Sequence, residues 1–77
     1  MKVNITINLK KGVLDPEGKA IHRTLNDLGF SETQDVRHGK VITLEVEDGT
    51  TQDRIEQMCQ KLLANPVIED YEIEMPA

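Results

Sequence analysis

The side chains that could react are few and lie far apart along the chain. The sequence has one cysteine, Cys59, and two histidines, His22 and His38, with none of the paired spacings that bring metal ligands together on one element. Cys59 falls on an apolar helical stripe, away from the helix N-terminus that would lower its pKa, so we expect a buried structural thiol. We expect His22 to be exposed and uncommitted. These residues predict neither a nucleophile nor a metal site.

The segment Arg37-His38-Gly39-Lys40 is the strongest candidate for a binding function. Three potential cations meet there at a predicted glycine turn, whose backbone amides could help to hold an anion. The signal is weak, because a hairpin turn with solvated ends explains the same residues.

No phosphate-binding motif accompanies this segment. Neither Gly-x-Gly-x-x-Gly nor Gly-x-x-x-x-Gly-Lys-Ser/Thr occurs in the sequence. A small acylphosphatase would need an arginine in the loop after its first strand, and the loop at residues 10–13 has none. Independent catalysis is therefore not expected.

Charge is distributed unevenly. The 77 residues carry 14 acidic and 9 basic side chains, a formal net charge of −5. Residues 1–40 have a net charge of +2 and residues 41–77 a net charge of −7. An acidic chain is not expected to bind nucleic acid, because that binding depends on clustered Lys and Arg. The acidic side chains near the end could steer association with a partner or protect an edge strand from aggregation.

The length of the chain limits the number of domains and the size of the core. Residues 1–77 are expected to form a single domain, which at this size buries little surface and gains stability from oligomerisation. The composition is too charged for a membrane span, and no secretion signal is recognised, so the expected location is a reducing cytoplasm.

The first half of the chain predicts one strand and one helix. Residues 2–10 alternate strictly between apolar and polar side chains, which is typical of a half-buried strand. A helix over residues 16–28 follows, with Asp15 as the N-cap, Pro16 in the first turn and Gly29 as the C-terminal glycine.

The second half predicts a hairpin, a helix and a last strand. Residues 34–37 form a short strand joined to a strand at 41–47 by a turn at His38-Gly39. A second helix begins with a capping box from Thr50 to Asp53 and ends at Asn65 in a left-handed cap. The final strand covers residues 67–75, with a bend near Glu69 and Asp70. The apolar stripe of the second helix comprises Ile55, Met58, Cys59, Leu62 and Leu63.

This order, βαββαβ, predicts an α+β fold. Its commonest form is a ferredoxin-like two-layer sandwich with a four-stranded antiparallel sheet and both helices on one face. The other face would present an uncharged polar patch that suits either a partner or solvent; it comprises Asn4, Thr6, Asn8, Val41 and Thr43.

Three stretches together carry a resemblance to a known family. Residues 14–18 (LDPEG), 34–40 (QDVRHGK) and 58–72 (MCQKLLANPVIEDYE) resemble the PurS family, the small subunit of phosphoribosylformylglycinamidine synthase. The resemblance runs almost from end to end. It implies a non-catalytic accessory subunit of purine biosynthesis that forms a homodimer, with a tetramer also possible. In that family a large synthetase subunit uses ATP and magnesium, a glutaminase subunit releases ammonia from glutamine, and the small subunit binds no cofactor and joins the two.

The resemblance also implies roles for particular residues. Arg37, Gly39 and Lys40 would face a partner, while Asp15, Pro16 and Gly18 would form the start of a helix that shapes a neighbouring surface. His38 occupies a position that is often aliphatic in the family, so no role is assigned to its imidazole.

Two other classes of function stay open. A stand-alone regulatory module of the ACT type would bind a small effector between paired sheets. A small anion-processing enzyme would turn over an acyl phosphate by itself.

Overall fold

A three-stranded antiparallel sheet forms the centre of the computed structural model, which describes residues 1–76. Strand β1 (Lys2–Leu9) lies in the middle, between β2 (Gly39–Glu45) and β3 (Glu69–Glu74). Ile5 of β1 stands opposite Ile42 of β2 and Ile73 of β3, so the apolar side chains of all three strands share one face. The predicted α+β class is confirmed, but the prediction of a fourth strand is wrong for the residues described.

The missing strand is the one expected at residues 34–37. Residues 33–38, which we call the arm, adopt no regular secondary structure and pair with no strand of the described chain. The turn expected at His38-Gly39 is absent, because Gly39 is already the first residue of β2 and, unlike Gly12, Gly29 and Gly49, has no positive φ angle. The backbone therefore continues from the arm into β2 and no hairpin forms.

The core lies between the sheet and the second helical segment. Helix α1 spans Pro16–Asp27, and helix α2 spans Gln52–Met58 and continues as a π-helical turn over Cys59–Leu63. The buried hydrophobic side chains come from β1, from this second segment and from the residue directly after it; they are Val3, Ile5, Ile7, Ile55, Cys59 and Ala64.

The π-helical turn changes which side chains face the sheet. The amide of Ala64 donates to the Cys59 carbonyl at 2.9 Å, a bond that encloses one more residue than an α-helical turn. Ala64 is consequently buried, whereas Leu62 is 83% exposed. The prediction that Leu62 belongs to the buried stripe is wrong because the wider turn rotates it outward.

Helix α1 begins as predicted but does not cover the sheet. Asp15 caps its N-terminus, and Pro16 occupies the first turn. Gly18 is its only buried residue, and Leu28 after its end is 67% exposed. The prediction that both helices pack on one sheet face is wrong in this chain, where α1 has no substantial contact with a strand of the described residues.

The molecule is elongated as a result. Its extents are 48 × 25 × 15 Å and its radius of gyration is 15.8 Å. A compact chain of this length has a radius of gyration of about 11.5 Å. The single chain thus leaves much of its surface unpacked.

Three local predictions in the second half need correction. Thr51, one residue after the expected Thr50, caps α2 by accepting from the Arg54 amide. Asn65 is not left-handed; its side-chain oxygen accepts from the Val67 amide at 3.0 Å in an Asx turn. The chain bends in that turn, before β3, because Pro66 follows Asn65 directly.

Among the helices of residues 1–76, none is long and apolar enough to cross a lipid bilayer.

Candidate functional site

A buried carboxylate joins the start of α1 to the arm. Asp15 is only 4% exposed. One of its oxygens accepts from the Gly18 amide at 2.9 Å and the other from the His38 amide at 2.6 Å. The His38 amide, and after it the Gly18 amide, holds the pKa of Asp15 below its ordinary value of 3.8. We call Asp15, Gly18, Arg37 and His38 the Asp15 junction.

Gly18 permits this arrangement because it has no side chain. A Cβ atom there would overlap the Val36 carbonyl oxygen and would lie 2.6 Å from an Asp15 carboxylate oxygen. Helix α1 and the arm can approach this closely only with glycine at the contact.

Arg37 holds the loop that leads into α1. Its guanidinium donates to the Val13 carbonyl at 3.1 Å and to the Lys10 carbonyl at 3.3 Å. Both acceptors are neutral, and no carboxylate of residues 1–76 forms a salt bridge with Arg37. The side chain is therefore an exposed cation that backbone carbonyls hold in position, without a salt bridge among the described residues.

The neighbouring cations are directed to separate carboxylates. Nδ1 of His38 lies 3.1 Å from a Glu17 oxygen, and Nζ of Lys40 lies 3.8 Å from a Glu69 oxygen. The predicted cluster of three cations around one anion is thus not present in this chain.

An open cavity of about 460 Å³ adjoins the junction. It is lined in part by Lys11, Gly12, Asp35, Arg37 and His38. Asp35 offsets part of the positive charge, so the cavity offers an anion little more than one net positive charge.

The six predicted partner-contact residues fall into two groups. Asp15, Gly18 and Arg37 belong to the Asp15 junction, with Pro16 in the first turn of α1 beside it, while Gly39 and Lys40 begin β2. Their contact with a partner stays a prediction.

Gly39 has a local structural role besides. A Cβ atom at Gly39 would overlap the Asn8 side chain and would lie 2.9 Å from the Ile7 carbonyl oxygen of β1. Glycine is therefore required where β2 first meets β1.

His22 has a contact that the sequence did not indicate. Its Nε2 lies 2.8 Å from the Thr33 carbonyl oxygen and the residue is half-buried, so the expectation of an uncommitted imidazole is wrong. This bond ties α1 to the first residue of the arm. A carbonyl partner eleven residues away has no pattern in the sequence that could have revealed it.

Cys59 is buried as predicted. Its relative exposure is 0%, and burial, with a smaller effect of the Glu56 charge, raises the pKa of the thiol. The described residues contain no group of three or more His, Cys, Asp or Glu side chains that could hold a metal ion.

A second surface was missed because the π-helical turn was not predicted. An apolar groove of about 450 Å³ runs between β2 and the second helical segment. Leu44, Met58, Leu62 and Leu63 line it, together with polar side chains that include Arg54 and Lys61. We call it the α2 groove.

The opposite sheet face is less uniform than predicted. Thr43 donates to the Asn4 side chain at 2.9 Å across β1 and β2, within the expected polar patch. On the other side, Glu72 stands opposite Thr6 and Glu74 opposite Asn4. The patch is therefore bordered by acidic side chains along β3.

The comparisons with known proteins agree with one another. The family model described as "PurS: Phosphoribosylformylglycinamidine (FGAM) synthase" matches residues 2–77. The phosphoribosylformylglycinamidine synthase subunit PurS of Methanocaldococcus jannaschii is 48% identical over 77 residues, which cover 96% of this chain and 93% of the relative.

Solved structures are similar as well. Bacillus subtilis PurS superimposes with a TM-score of 0.89 at 44% identity, covering 99% of this chain and 98% of that one. A chain in the structure of PurLQS from Thermotoga maritima has a TM-score of 0.81 at 34% identity, covering 95% and 93%.

Proposed function

The chain belongs to the PurS family, and on that premise we propose that it is the non-catalytic subunit that joins the synthetase and glutaminase subunits of phosphoribosylformylglycinamidine synthase. It is a subunit of this ligase, EC 6.3.5.3, which acts in purine biosynthesis. The observation that carries the proposal is the likeness to a chain solved as part of PurLQS.

The chemistry of the described residues supports a role without catalysis. The Asp15 carboxylate is occupied by two backbone amides, and the Cys59 thiol is buried with a raised pKa. Neither group is free to take part in a reaction. We therefore place the use of ATP, magnesium and glutamine in the partner subunits.

The physical benefit of such a subunit is positional. Ammonia released at one active site is diluted by water unless a second site lies close and correctly oriented. A subunit that fixes the two sites relative to each other raises the effective concentration of ammonia at the second site without reacting itself.

Self-association belongs to the same proposal. The chain exposes large apolar side chains on several surfaces, among them Leu14, Leu28, Phe30, Leu62 and Val67. Their burial against a second copy would add stability that this small core cannot supply. A dimer is the form we propose, with a tetramer as its possible extension, in the cytoplasm.

Reconstitution tests the proposal. The purified chain is mixed with the large and glutaminase subunits in the presence of ADP, magnesium and glutamine, and glutamine-dependent activity is measured. We expect this activity to require the chain, while activity with added ammonia persists without it. Equal glutamine-dependent activity in its absence, or turnover by the isolated chain, would contradict the proposal.

A further inference from the structure

The side chain of Arg37 is held in place by the backbone of a turn. Residues 10–13 form a β-turn in which the Val13 amide donates to the Lys10 carbonyl at 3.0 Å, and Gly12 has a φ angle of 90°. The guanidinium of Arg37 donates to the carbonyls of the same two residues, Val13 and Lys10. Because these bonds fix the guanidinium on the turn, it has less freedom to lose when it binds a further group.

The guanidinium of Arg37 retains unused hydrogen-bond donors. It has five N–H donors, and the two bonds to the turn leave three of them, including that of Nε, without a partner among residues 1–76. Nε lies on the edge through which arginine holds a carboxylate with two parallel hydrogen bonds. Asp15 attracts Arg37 through space, but its oxygens already accept from the Gly18 and His38 amides. The acceptor for the unused donors is therefore water or a group of another molecule.

The open cavity beside Arg37 has a small positive charge. Lys11 and Arg37 line it and form no salt bridge with the described residues, and Asp35 in the same lining offsets one of their two charges. His38, which also lines the cavity, is paired with Glu17. The remaining positive charge matches a carboxylate, which has one negative charge at neutral pH, better than a phosphate group, which has nearly two.

The lining of this cavity suits a side chain of another protein better than a small molecule. Leu9 is the only apolar side chain among the described residues that line it. Pockets for small molecules are mostly apolar and enclose most of the ligand, whereas this cavity is open and polar. Arginine is enriched at the interfaces between proteins. The ligand expected here is therefore an Asp or Glu side chain on a protein surface.

We propose that Arg37 binds the carboxylate of an Asp or Glu side chain of a partner subunit of the synthase, and that Lys11 strengthens the attraction. This inference rests on the subunit role proposed above and gives one contact of that assembly its chemistry. Two parallel hydrogen bonds fix the direction as well as the position of the carboxylate, so the contact would orient the chain against its partner. His38 and Lys40 take no part, because each is directed to a carboxylate of its own chain.

Zero-length cross-linking of the complex, reconstituted with ADP, magnesium and glutamine, tests the source of the carboxylate. A carbodiimide joins an amine to a carboxylate in contact with it and does not couple arginine. Arg37→Lys places an amine in the cavity, and mass spectrometry of the digested complex should show position 37 joined to an Asp or Glu of one of the other two subunits. Arg23→Lys is the matched control, because Arg23 is exposed on α1 outside the cavity lining, and it should give no such link.

Dissociation constants of the complex give a second measurement. At low salt Arg37→Gln should raise the dissociation constant about 10- to 100-fold, the range for the loss of a hydrogen bond between charged groups. This factor should fall several-fold at about 0.5 M salt, because ions screen the attraction. If Arg37 acted only by holding the turn, the factor would not depend on salt, since its acceptors there are neutral carbonyls. Arg23→Gln should bind like the unmodified chain at both salt concentrations, and circular dichroism confirms that each variant is folded.

The outcomes separate this contact from the subunit role. If Arg37→Gln binds as tightly as the unmodified chain, or more weakly by the same factor at both salt concentrations, Arg37 holds no partner carboxylate and the subunit role stands. The absence of a link from position 37, or links only to this chain or a second copy of it, also refutes the contact. A saturable rise in Tm with inorganic phosphate that Arg37→Gln abolishes would assign the cavity to a free anion instead. If the unmodified chain does not assemble with the other two subunits, the subunit role itself is wrong.

Discussion

Replacement of Gly18 by alanine tests the close approach of α1 to the arm. In an ordinary helix this change is stabilising by up to about 1 kcal/mol, because alanine restricts the unfolded chain and glycine does not. Here the added Cβ atom would overlap the Val36 carbonyl oxygen and would lie 2.6 Å from the Asp15 carboxylate. Backbone and carboxylate must both move to admit it.

The steric cost of the added Cβ atom is larger than the gain in helix propensity. Insertion of a methyl group into a packed site costs about 1–3 kcal/mol, and the two overlaps at Gly18 place the cost in the upper part of that range, at about 2–3 kcal/mol. After subtraction of a helix-propensity gain of up to about 1 kcal/mol, we expect a net loss of about 1–2 kcal/mol in the free energy of unfolding. In a domain of this size that loss corresponds to a Tm lower by roughly 5–15 °C. The sign is opposite to that of the same substitution at a free helical position.

Thermal and urea unfolding at one fixed protein concentration measure the effect. Ala20→Gly is the matched control, because Ala20 is exposed in the same helix and should lose only about 1 kcal/mol from helix propensity. The reasoning fails if Gly18→Ala is as stable as the unmodified chain or more stable.

Three further variants and measurements address the junction and the core. The pKa of Asp15 is lowered by its amide partners, so its contribution to stability is present above pH 3.8 and is lost as pH falls through the folded-state pKa. Urea unfolding of the unmodified chain and of Asp15→Asn should therefore show a larger difference in the free energy of unfolding at pH 7 than at pH 3. The Cys59 thiol, buried and with a raised pKa, should react with a thiol reagent at least about tenfold more slowly in the native state than in urea, and equal rates would show that the core is open. Arg37→Ala should leave the circular dichroism spectrum unchanged but weaken co-elution with the large subunit. Arg23→Ala, an exposed position on α1, is the control and should co-elute like the unmodified chain. Unchanged co-elution of Arg37→Ala would count against a partner-facing role for Arg37.

The parts of the fold that depend on local chemistry could be predicted from the sequence. The alternation in β1 correctly placed Val3, Ile5 and Ile7 on the buried face. Asp15 and Pro16 marked the start of α1 because capping depends on residues next to each other in the chain.

The parts that depend on distant residues could not be predicted. Gly39 was interpreted as a turn residue, but its lack of a side chain is required by the approach of Asn8 and Ile7 from β1. Likewise, nothing in the periodicity of α2 reveals the wider turn after Met58 that exposes Leu62. Within the predicted site, Asp15 and Gly18 are close in sequence, so their common place at the start of α1 could be predicted. The hydrogen bond that the His38 amide donates to Asp15 joins residues 23 positions apart and could not.

The π-helical turn at Cys59–Leu63 has a consequence for changes in chain length. Such a turn contains one residue more than an α-helical turn, so deletion of a single residue within it can be absorbed as a continuous α-helix. Deletion of Gln60, for example, would return the leucines to α-helical phase and turn one of them from the groove toward the sheet. Loss of one amino acid here would thus preserve a folded chain while removing one apolar side chain from the α2 groove. A substitution in the sheet core would instead destabilise the fold and leave the groove side chains in place.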